Sequence, residues 1–257
     1  MTAPSDLVAR IGLLLRAVAA HEPTGATTTR ISDTSGLARP TTHRLLTALA
    51  GQGLVQRVSE TGWWQLGPEL HFLGRSAAAR YDVTHLAHPV VRKLAVDTGE
   101  SAFYSARRGD ESICLIREDG AFPLRSHVLD HGTRFPLGVA SAGLVILAFL
   151  SASERDDYLH RADLTDEFGS EHSAEKLRHR LDTTRTAGYA TNPGLIVEGS
   201  WGMAAAVFDP DDKPVGALSL TGVASRFSES RRPELGALLL TGAHALSTRL
   251  ARHHQPS

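Results

Sequence analysis

The chain has 257 residues, of which 42% are hydrophobic and 21% are charged, as in ordinary soluble globular proteins of one or two domains. Its one cysteine, Cys114, excludes an internal disulfide and a cysteine-based zinc site, and it fits a reducing compartment. No apolar run reaches the roughly 18 residues that a membrane-spanning helix needs. We therefore expect a cytoplasmic protein with no membrane partner.

Charge is unevenly divided along the chain. The net charge of −1 divides into +2 for residues 1–75 and −3 for residues 76–257. Residues 24–58 hold four arginines against one aspartate. A basic segment on a mildly acidic body is a weak indication of a nucleic-acid-binding end.

Residues 1–67 have the element order of a winged helix-turn-helix domain. Ser5 is a suitable N-cap for the first helix, and Thr28 or Thr29 for a short second helix that Gly36 ends. Pro40 suits the first position of a third helix. The predicted elements are helices over residues 5–21, 28–36 and 40–52 and a hairpin over residues 54–66.

The remaining residues predict a linker helix over residues 68–82 and an α+β domain over residues 83–257. Short β-prone runs in this domain predict a five- or six-stranded, mostly antiparallel sheet with helices before, inside and after it. The predicted strands cover residues 101–107, 112–117, 124–129, 203–208 and 215–222, and the predicted helices cover residues 82–98, 136–150, 170–187 and 230–252.

Several short motifs occur in a characteristic order. Residues 36–46 read GLARPTTHRLL, and residues 64–70 read WQLGPEL; the later motifs are PLG at 136–138, GYA at 188–190, AAAVFD at 204–209 and ALSLTG at 217–222. In this order they resemble the IclR family of bacterial transcriptional regulators. The resemblance implies an N-terminal winged helix-turn-helix, a linker helix and a GAF-like effector-binding domain. It also implies a homodimer or homotetramer on double-stranded operator DNA.

A helical wheel for the third helix separates a buried face from a DNA-reading face. Thr42 falls on the inward arc, whereas Pro40, Arg44 and Thr47 point outward. Arginine can bind guanine with two hydrogen bonds, and threonine can contact either base or a thymine methyl group. One of the two adjacent tryptophans is expected to pack beneath the wing. The candidate DNA-binding residues are Thr29, Arg30, Arg39, Pro40, Thr41, His43, Arg44, Thr47 and Arg57.

The candidate effector site lies where the helix after residues 136–138 begins. The free amides near Ala140 and Ser141 would attract a carboxylate. Ser219 and Thr221 alternate along one strand, so both hydroxyls face one side, where they bind a ligand or, alternatively, the neighbouring backbone.

The sequence departs from the family pattern at two positions of this site. After residues 188–190 the family often has acidic residues, where this chain has Thr191, Asn192 and Pro193, and Gly202 lies where the family often has a cysteine. We therefore expect an effector larger than a small keto acid, namely a partly aromatic carboxylate or related catabolite, with Trp201 or Met203 lining the pocket. The candidate effector-binding residues are Ala140, Ser141, Asn192, Trp201, Met203, Ser219 and Thr221.

An enzyme, or a metabolite-sensing module without operator binding, is the alternative interpretation. The phosphate-binding, nucleophile-elbow and zinc-protease motifs do not occur in the sequence. The histidine pairs His85/His88 and His127/His131 have metal-binding spacing but are not expected to bind a metal, and Cys114 reads as a core residue. We therefore predict no catalytic residue, metal or cofactor. We expect a ligand-responsive repressor that controls a catabolic operon and binds a palindromic operator.

Overall fold

The computed structural model describes residues 6–81 and 83–253. The chain divides into two compact units, Met1–Tyr81 and Asp82–Ser257, here named the N-terminal unit and the C-terminal unit. The helix over residues 68–81 groups with the N-terminal unit. The three-part division into residues 1–67, 68–82 and 83–257 stays a prediction.

The N-terminal unit has the predicted order of three helices, a hairpin and a further helix. Leu14, Ile31, Leu46 and Trp64 belong to one buried cluster, which the three helices and the hairpin share. The two strands pair antiparallel, with Gln56 opposite Gln65. The elements are α1 (Leu7–Ala19), α2 (Thr28–Ser35), α3 (Arg39–Gly51), β1 (Val55–Arg57), β2 (Trp64–Leu66) and α4 (Pro68–Tyr81).

The helix caps differ from those predicted. Ser5 lies outside the described residues, and the Asp6 carboxylate caps α1 by accepting from the first backbone amides of the helix. Thr27 caps α2 through its hydroxyl, so the prediction of Thr28 or Thr29 is wrong. Gly36 ends α2 in the left-handed conformation (φ 67°), which glycine adopts without a steric penalty.

The C-terminal unit is built on a six-stranded sheet within the described residues, with the order β5-β4-β3-β8-β7-β6 and every neighbouring pair antiparallel. Helices α5 and α10 cover one face, and α6 and α9 cover the other. The elements are α5 (Val83–Thr98), β3 (Ser101–Arg108), β4 (Glu111–Glu118), β5 (Arg134–Pro136), α6 (Ser141–Phe149), α7 (Ala152–Arg161), α8 (Thr165–Phe168), α9 (Ala174–Ala187), β6 (Tyr189–Pro193), β7 (Ser200–Phe208), β8 (Pro214–Val223) and α10 (Arg232–His253).

The strand predicted over residues 124–129 is wrong. These residues lie in the connection between β4 and β5, and the strand that pairs with β4 is the later β5, with Ile113 opposite Arg134. A turn closed by the amide of Thr133 and the carbonyl of Asp130 brings β5 to that position. His127 therefore lies on a loop.

Two predicted helices are shorter than expected. The helix predicted from Pro136 begins at Ser141, because Gly138 takes a positive φ of 91° that interrupts a right-handed helix. The helix predicted from residue 170 begins at Ala174, where the Ser173 hydroxyl caps it. No helix in the described ranges is both long and apolar enough to cross a membrane.

Candidate functional site

The outward side of α3 carries an exposed polar surface, the α3 face, consisting of Pro40, His43, Arg44 and Thr47. Thr42, by contrast, is completely buried, and its hydroxyl donates to the carbonyl of Ala38 at 3.2 Å. The Thr47 hydroxyl donates to the His43 carbonyl at 2.9 Å, so its oxygen lone pairs remain available as acceptors. The α3 face can therefore present one guanidinium, an imidazole and a hydroxyl to a ligand.

The N-terminal ends of α2 and α3 extend this surface. Thr29 and Arg30 are exposed in the first turn of α2, and Arg39 is the exposed first residue of α3. Thr41 is partly buried beside them. Free backbone amides in the first turn of a helix, together with arginine, suit a phosphate group.

Trp64 organises the elements that carry these residues. Its indole is buried, and Nε1 donates to the Thr28 hydroxyl at 3.0 Å. The ring of His43 meets the indole edge-on with centroids 6.5 Å apart, and the guanidinium of Arg57 lies 5.8 Å from its centroid. One buried ring thus contacts α2, α3 and the hairpin.

The hairpin is also held to the segment between α1 and α2. Residues Ala26 and Trp64 exchange two backbone hydrogen bonds of 3.0 and 2.8 Å, and Gln65 Nε2 donates to the carbonyl of Pro23 at 2.6 Å. Arg57 is exposed, and its Nε donates to the carbonyl of Gly62 at 2.9 Å across the turn. These contacts fix the position of the wing relative to α2.

The C-terminal unit contains a small, partly open cavity, the α6 pocket, at the N-terminal end of α6. It encloses about 20 Å³, which is room for one water molecule. Five of the predicted effector-binding residues line it: Ala140, Ser141, Asn192, Trp201 and Thr221. The other lining residues are Val128, Leu129, Ile196, Ser200 and Gly202.

The hydroxyls of Ser219 and Thr221 are buried and have no hydrogen-bond partner among the described residues. The alternative that they bind neighbouring backbone is therefore wrong. Thr221 lies opposite Gly202 on β7, and a Cβ at Gly202 would come within 3.0 Å of the Ser141 hydroxyl. Because Gly202 has no side chain, Ser141 and Thr221 can both line the same cavity.

Asn192 lines the α6 pocket but uses its side chain to hold the pocket wall. Its Nδ2 donates to the carbonyl of Val139 at 2.8 Å, and its Oδ1 accepts from the amide of Leu195 at 2.9 Å. The side chain therefore links the end of β6 to the segment that leads into α6.

Two of the predicted pocket residues direct their side chains elsewhere. Met203 is fully buried between the sheet and helices α5 and α10, on the face opposite α6, so it does not line the pocket. Trp201 lies two residues before Met203 on β7, so its side chain points to the same face of the sheet. Its ring stacks on Phe227 and lies 4.6 Å from the guanidinium of Arg232. Side chains alternate along a strand, and Gly202, between these two residues, faces α6. The side chains of Trp201 and Met203 therefore face away from the pocket.

The loop between β4 and β5 borders the α6 pocket. Val128 and Leu129 line the pocket, and the Ser126 and Ser200 hydroxyls lie 2.6 Å apart in a hydrogen bond. Both serines also border a larger open groove of about 510 Å³, together with Arg125, His127 and Glu198 among others. Sequence reasoning missed this loop, because its β-prone residues were predicted to form a strand over residues 124–129.

Cys114 and His88 make structural contacts in the C-terminal unit. Cys114 is buried against Phe103 and Leu129, and burial raises the pKa of its thiol to about 12. Within the described ranges, no three metal-binding side chains come together. His88 instead pairs with Glu118 at 3.0 Å.

Both units match models of one protein family. Residues 7–59 match the IclR helix-turn-helix domain, and residues 75–248 match the C-terminal domain of bacterial IclR transcriptional regulators. The acetate operon repressor of Salmonella typhimurium is 30% identical over 217 residues, which cover 84% of this chain and 79% of that repressor.

Solved structures share the fold of the whole chain. An IclR transcriptional regulator from Alicyclobacillus acidocaldarius has a TM-score of 0.78 at 25% identity, covering 95% of this chain and 98% of that one. An IclR homologue from Microbacterium hydrocarbonoxydans, in complex with 4-hydroxybenzoate, has a TM-score of 0.76 at 22% identity, covering 95% and 99%. These relatives are regulators, and the chain is not an enzyme.

Proposed function

Because the chain belongs to the IclR family of bacterial transcriptional regulators, we propose that it is a cytoplasmic repressor of a catabolic operon, released by a small organic acid. In this proposal it binds a palindromic operator as a homodimer or homotetramer. The observation that carries the proposal is the exposed α3 face, held in place by the buried Trp64. The similarity to the acetate operon repressor supports control of a catabolic operon in general, and it does not identify which operon this chain regulates.

Operator recognition is assigned to the N-terminal unit. Helix α3 enters the major groove, where Arg44 and Thr47 contact base edges and Arg39 contacts a base or a phosphate. Thr29 and Arg30, in the first turn of α2, bind a backbone phosphate and set the register without reading sequence. Pro40, Thr41 and His43 complete the groove-facing surface, and Arg57 contacts the backbone from the wing.

Effector recognition is assigned to the α6 pocket. The amides at Ala140 and Ser141 receive the carboxylate of the effector, and the unpaired hydroxyls of Ser219 and Thr221 supply further hydrogen bonds. The buried hydroxyls support this assignment because a buried polar group without a partner costs about 1–3 kcal/mol. Asn192 shapes the pocket through Val139 rather than by direct contact.

The α6 pocket has room for about 20 Å³, which is too small for an organic acid, and we propose that the bordering loop moves on binding. Separation of the Ser126 and Ser200 hydroxyls would join the pocket to the outer groove, which has room for an aromatic ring. An aromatic acid remains our preferred effector class. The groove and the 4-hydroxybenzoate complex of the Microbacterium homologue support this class. The side chains of Trp201 and Met203 do not support it, because they point to the other face of the sheet.

Effector binding would act by population shift. An effector that binds one arrangement of subunits more tightly moves the equilibrium toward that arrangement. If the arrangements differ in the spacing of their DNA-binding units, operator affinity changes by the same coupling free energy.

The release of operator DNA by candidate acids tests the proposal. The full-length protein is bound to the duplex upstream of its own gene, and 4-hydroxybenzoate, pyruvate and glyoxylate are titrated in turn. We expect 4-hydroxybenzoate to release the duplex from the wild type but not from a Thr221→Val variant. Release by pyruvate or glyoxylate alone would contradict the aromatic assignment, and equal release from both proteins would contradict the pocket.

A further inference from the structure

Arg180 on α9 is a buried cation without a hydrogen-bond partner. All three nitrogens of its guanidinium are buried, and none has an acceptor among the described residues. Folded proteins almost always pair such a group, because an unpaired buried charge costs several kcal/mol. The exposed Arg178, two residues earlier on the same helix, shows no such constraint.

His172 is a second buried polar group, within electrostatic range of Arg180. The ring is 2% exposed, and Nδ1 donates to the carbonyl of Phe168 at 2.9 Å. Nε2 makes no hydrogen bond of normal geometry among the described residues, although the carbonyl of Val139 lies near the ring. The positive charge of Arg180 lowers the pKa of His172, in addition to the larger lowering by burial.

The acid nearest to Arg180 does not neutralise it. Glu171 acts on Arg180 through space, but it forms its ion pair with Lys176 and is exposed. Burial lowers the pKa of Arg180 to about 10, so the guanidinium is still charged at neutral pH. A positive charge therefore stays buried in this part of the C-terminal unit.

We propose that Arg180 and His172 form an internal binding site for a small carboxylate. The planar guanidinium matches the two oxygens of a carboxylate in a bidentate pair. Because Nδ1 of His172 donates to Phe168, Nε2 can donate to the anion only after it takes up a proton from solvent, which the negative charge of the anion favours. Neither residue lines the α6 pocket, so the inference does not depend on the proposed function.

Thermal unfolding of the full-length protein in different sodium salts tests this site. Acetate and formate are compared with phosphate and chloride at equal ionic strength, for the wild type, Arg180→Met and the matched control Arg178→Met. At about ten times the Kd for acetate, we expect Tm to rise by about 3 °C in the wild type and the control. Arg180→Met should not respond, and without carboxylate its Tm should equal or exceed that of the wild type.

A Thr221→Val variant separates this site from the α6 pocket. If the inference is right, acetate still stabilises Thr221→Val while Arg180→Met is unresponsive. The inference is overturned if Arg180→Met keeps the acetate response, if all salts stabilise equally, if phosphate alone stabilises, or if the response disappears with Thr221→Val. A lower Tm of Arg180→Met without carboxylate would also overturn it, because the guanidinium would then be paired inside the fold.

Discussion

Trp64 illustrates at the residue scale how a buried side chain can place residues for DNA binding. The sequence indicated that one of the adjacent tryptophans would be buried, and it is Trp64, whereas Trp63 is 38% exposed. What the sequence did not reveal was the bond from Trp64 to Thr28, because the partners are 36 residues apart. Thr28 is the first residue of α2, and the preceding Thr27 is its cap.

We predict that Thr28→Val lowers the free energy of unfolding of the protein by about 1 kcal/mol, the value of one hydrogen bond, and that Trp64→Phe lowers it by more, because it also removes buried ring volume. Since both remove the same bond, the double variant should lose clearly less than the sum of the two. Urea unfolding measures the cycle, with Trp63→Phe as a control that should change little. Strict additivity would contradict the role of this bond.

The unpaired hydroxyl of Thr221 predicts a gain in stability on its removal. Thr221→Val replaces a buried hydroxyl without a partner by a methyl group of similar size, and it should raise the free energy of unfolding by about 1 kcal/mol. Buried Thr98 is the matched control, because its hydroxyl donates to Leu94 at 2.7 Å and accepts from Glu100 at 3.1 Å.

Thr98→Val should accordingly lower the free energy of unfolding by about 1–2 kcal/mol. Thermal or urea unfolding shows whether Thr221→Val is more stable than the wild type and Thr98→Val less stable. A loss of stability in Thr221→Val equal to that in Thr98→Val would mean that Thr221 has a partner in the fold. Its assignment to effector binding would then lose its support.

At the element scale, a buried acid joins β3 to the start of α10. The Glu100 side chain is 1% exposed, and its Oε1 accepts from Arg226 Nε at 2.8 Å and from Arg231 NH1 at 2.6 Å. Arg231 also donates to the carbonyl of Thr98 at 2.6 Å. This junction could not be predicted from the sequence, because 126 and 131 residues separate Glu100 from the two arginines.

Glu100→Gln is predicted to lower the free energy of unfolding by about 3 kcal/mol, since it leaves two partly buried guanidinium groups without their counter-charge. The control is Glu111→Gln, which removes a half-exposed pair with Arg134 and should cost less than about 1 kcal/mol. Chemical denaturation of both variants provides the measurement. Equal losses would show that the junction is no stronger than a surface ion pair.

Elements with strong local signals were predictable, and those set by distant pairing were not. The order of α1, α2, α3 and the hairpin followed from periodicity and from Gly36 and Pro40, and the C-terminal unit has the expected antiparallel sheet. The segment over residues 124–129 has β-prone residues, but pairing with β4 is taken by β5 instead.

The candidate effector pocket was also predictable only in part. Strand parity correctly put Ser219 and Thr221 on one face, whereas the faces of Trp201 and Met203 depended on the register between β7 and β8. That register places Gly202 opposite Thr221 and so turns its two neighbours away. A single sequence does not specify such a register.

The whole molecule is predicted to be a homodimer or homotetramer, because a palindromic operator requires two DNA-binding units related by symmetry. Light scattering of the full-length protein should give two or four times the mass of one chain, and the same stoichiometry should hold for the operator complex. A monomer at concentrations that saturate a two-half-site duplex would contradict this expectation.

Operator binding through the α3 face is the central claim, and fluorescence anisotropy tests it most directly. The full-length protein, Arg44→Ala and the control Arg92→Ala, which removes an exposed arginine from α5, are titrated on the duplex upstream of the gene. A scrambled competitor and two salt concentrations accompany each titration. We predict specific binding by the wild type and Arg92→Ala, weakened at least about tenfold in Arg44→Ala. Equal affinity of Arg44→Ala and the wild type, or no specific binding at either salt concentration, would contradict the account.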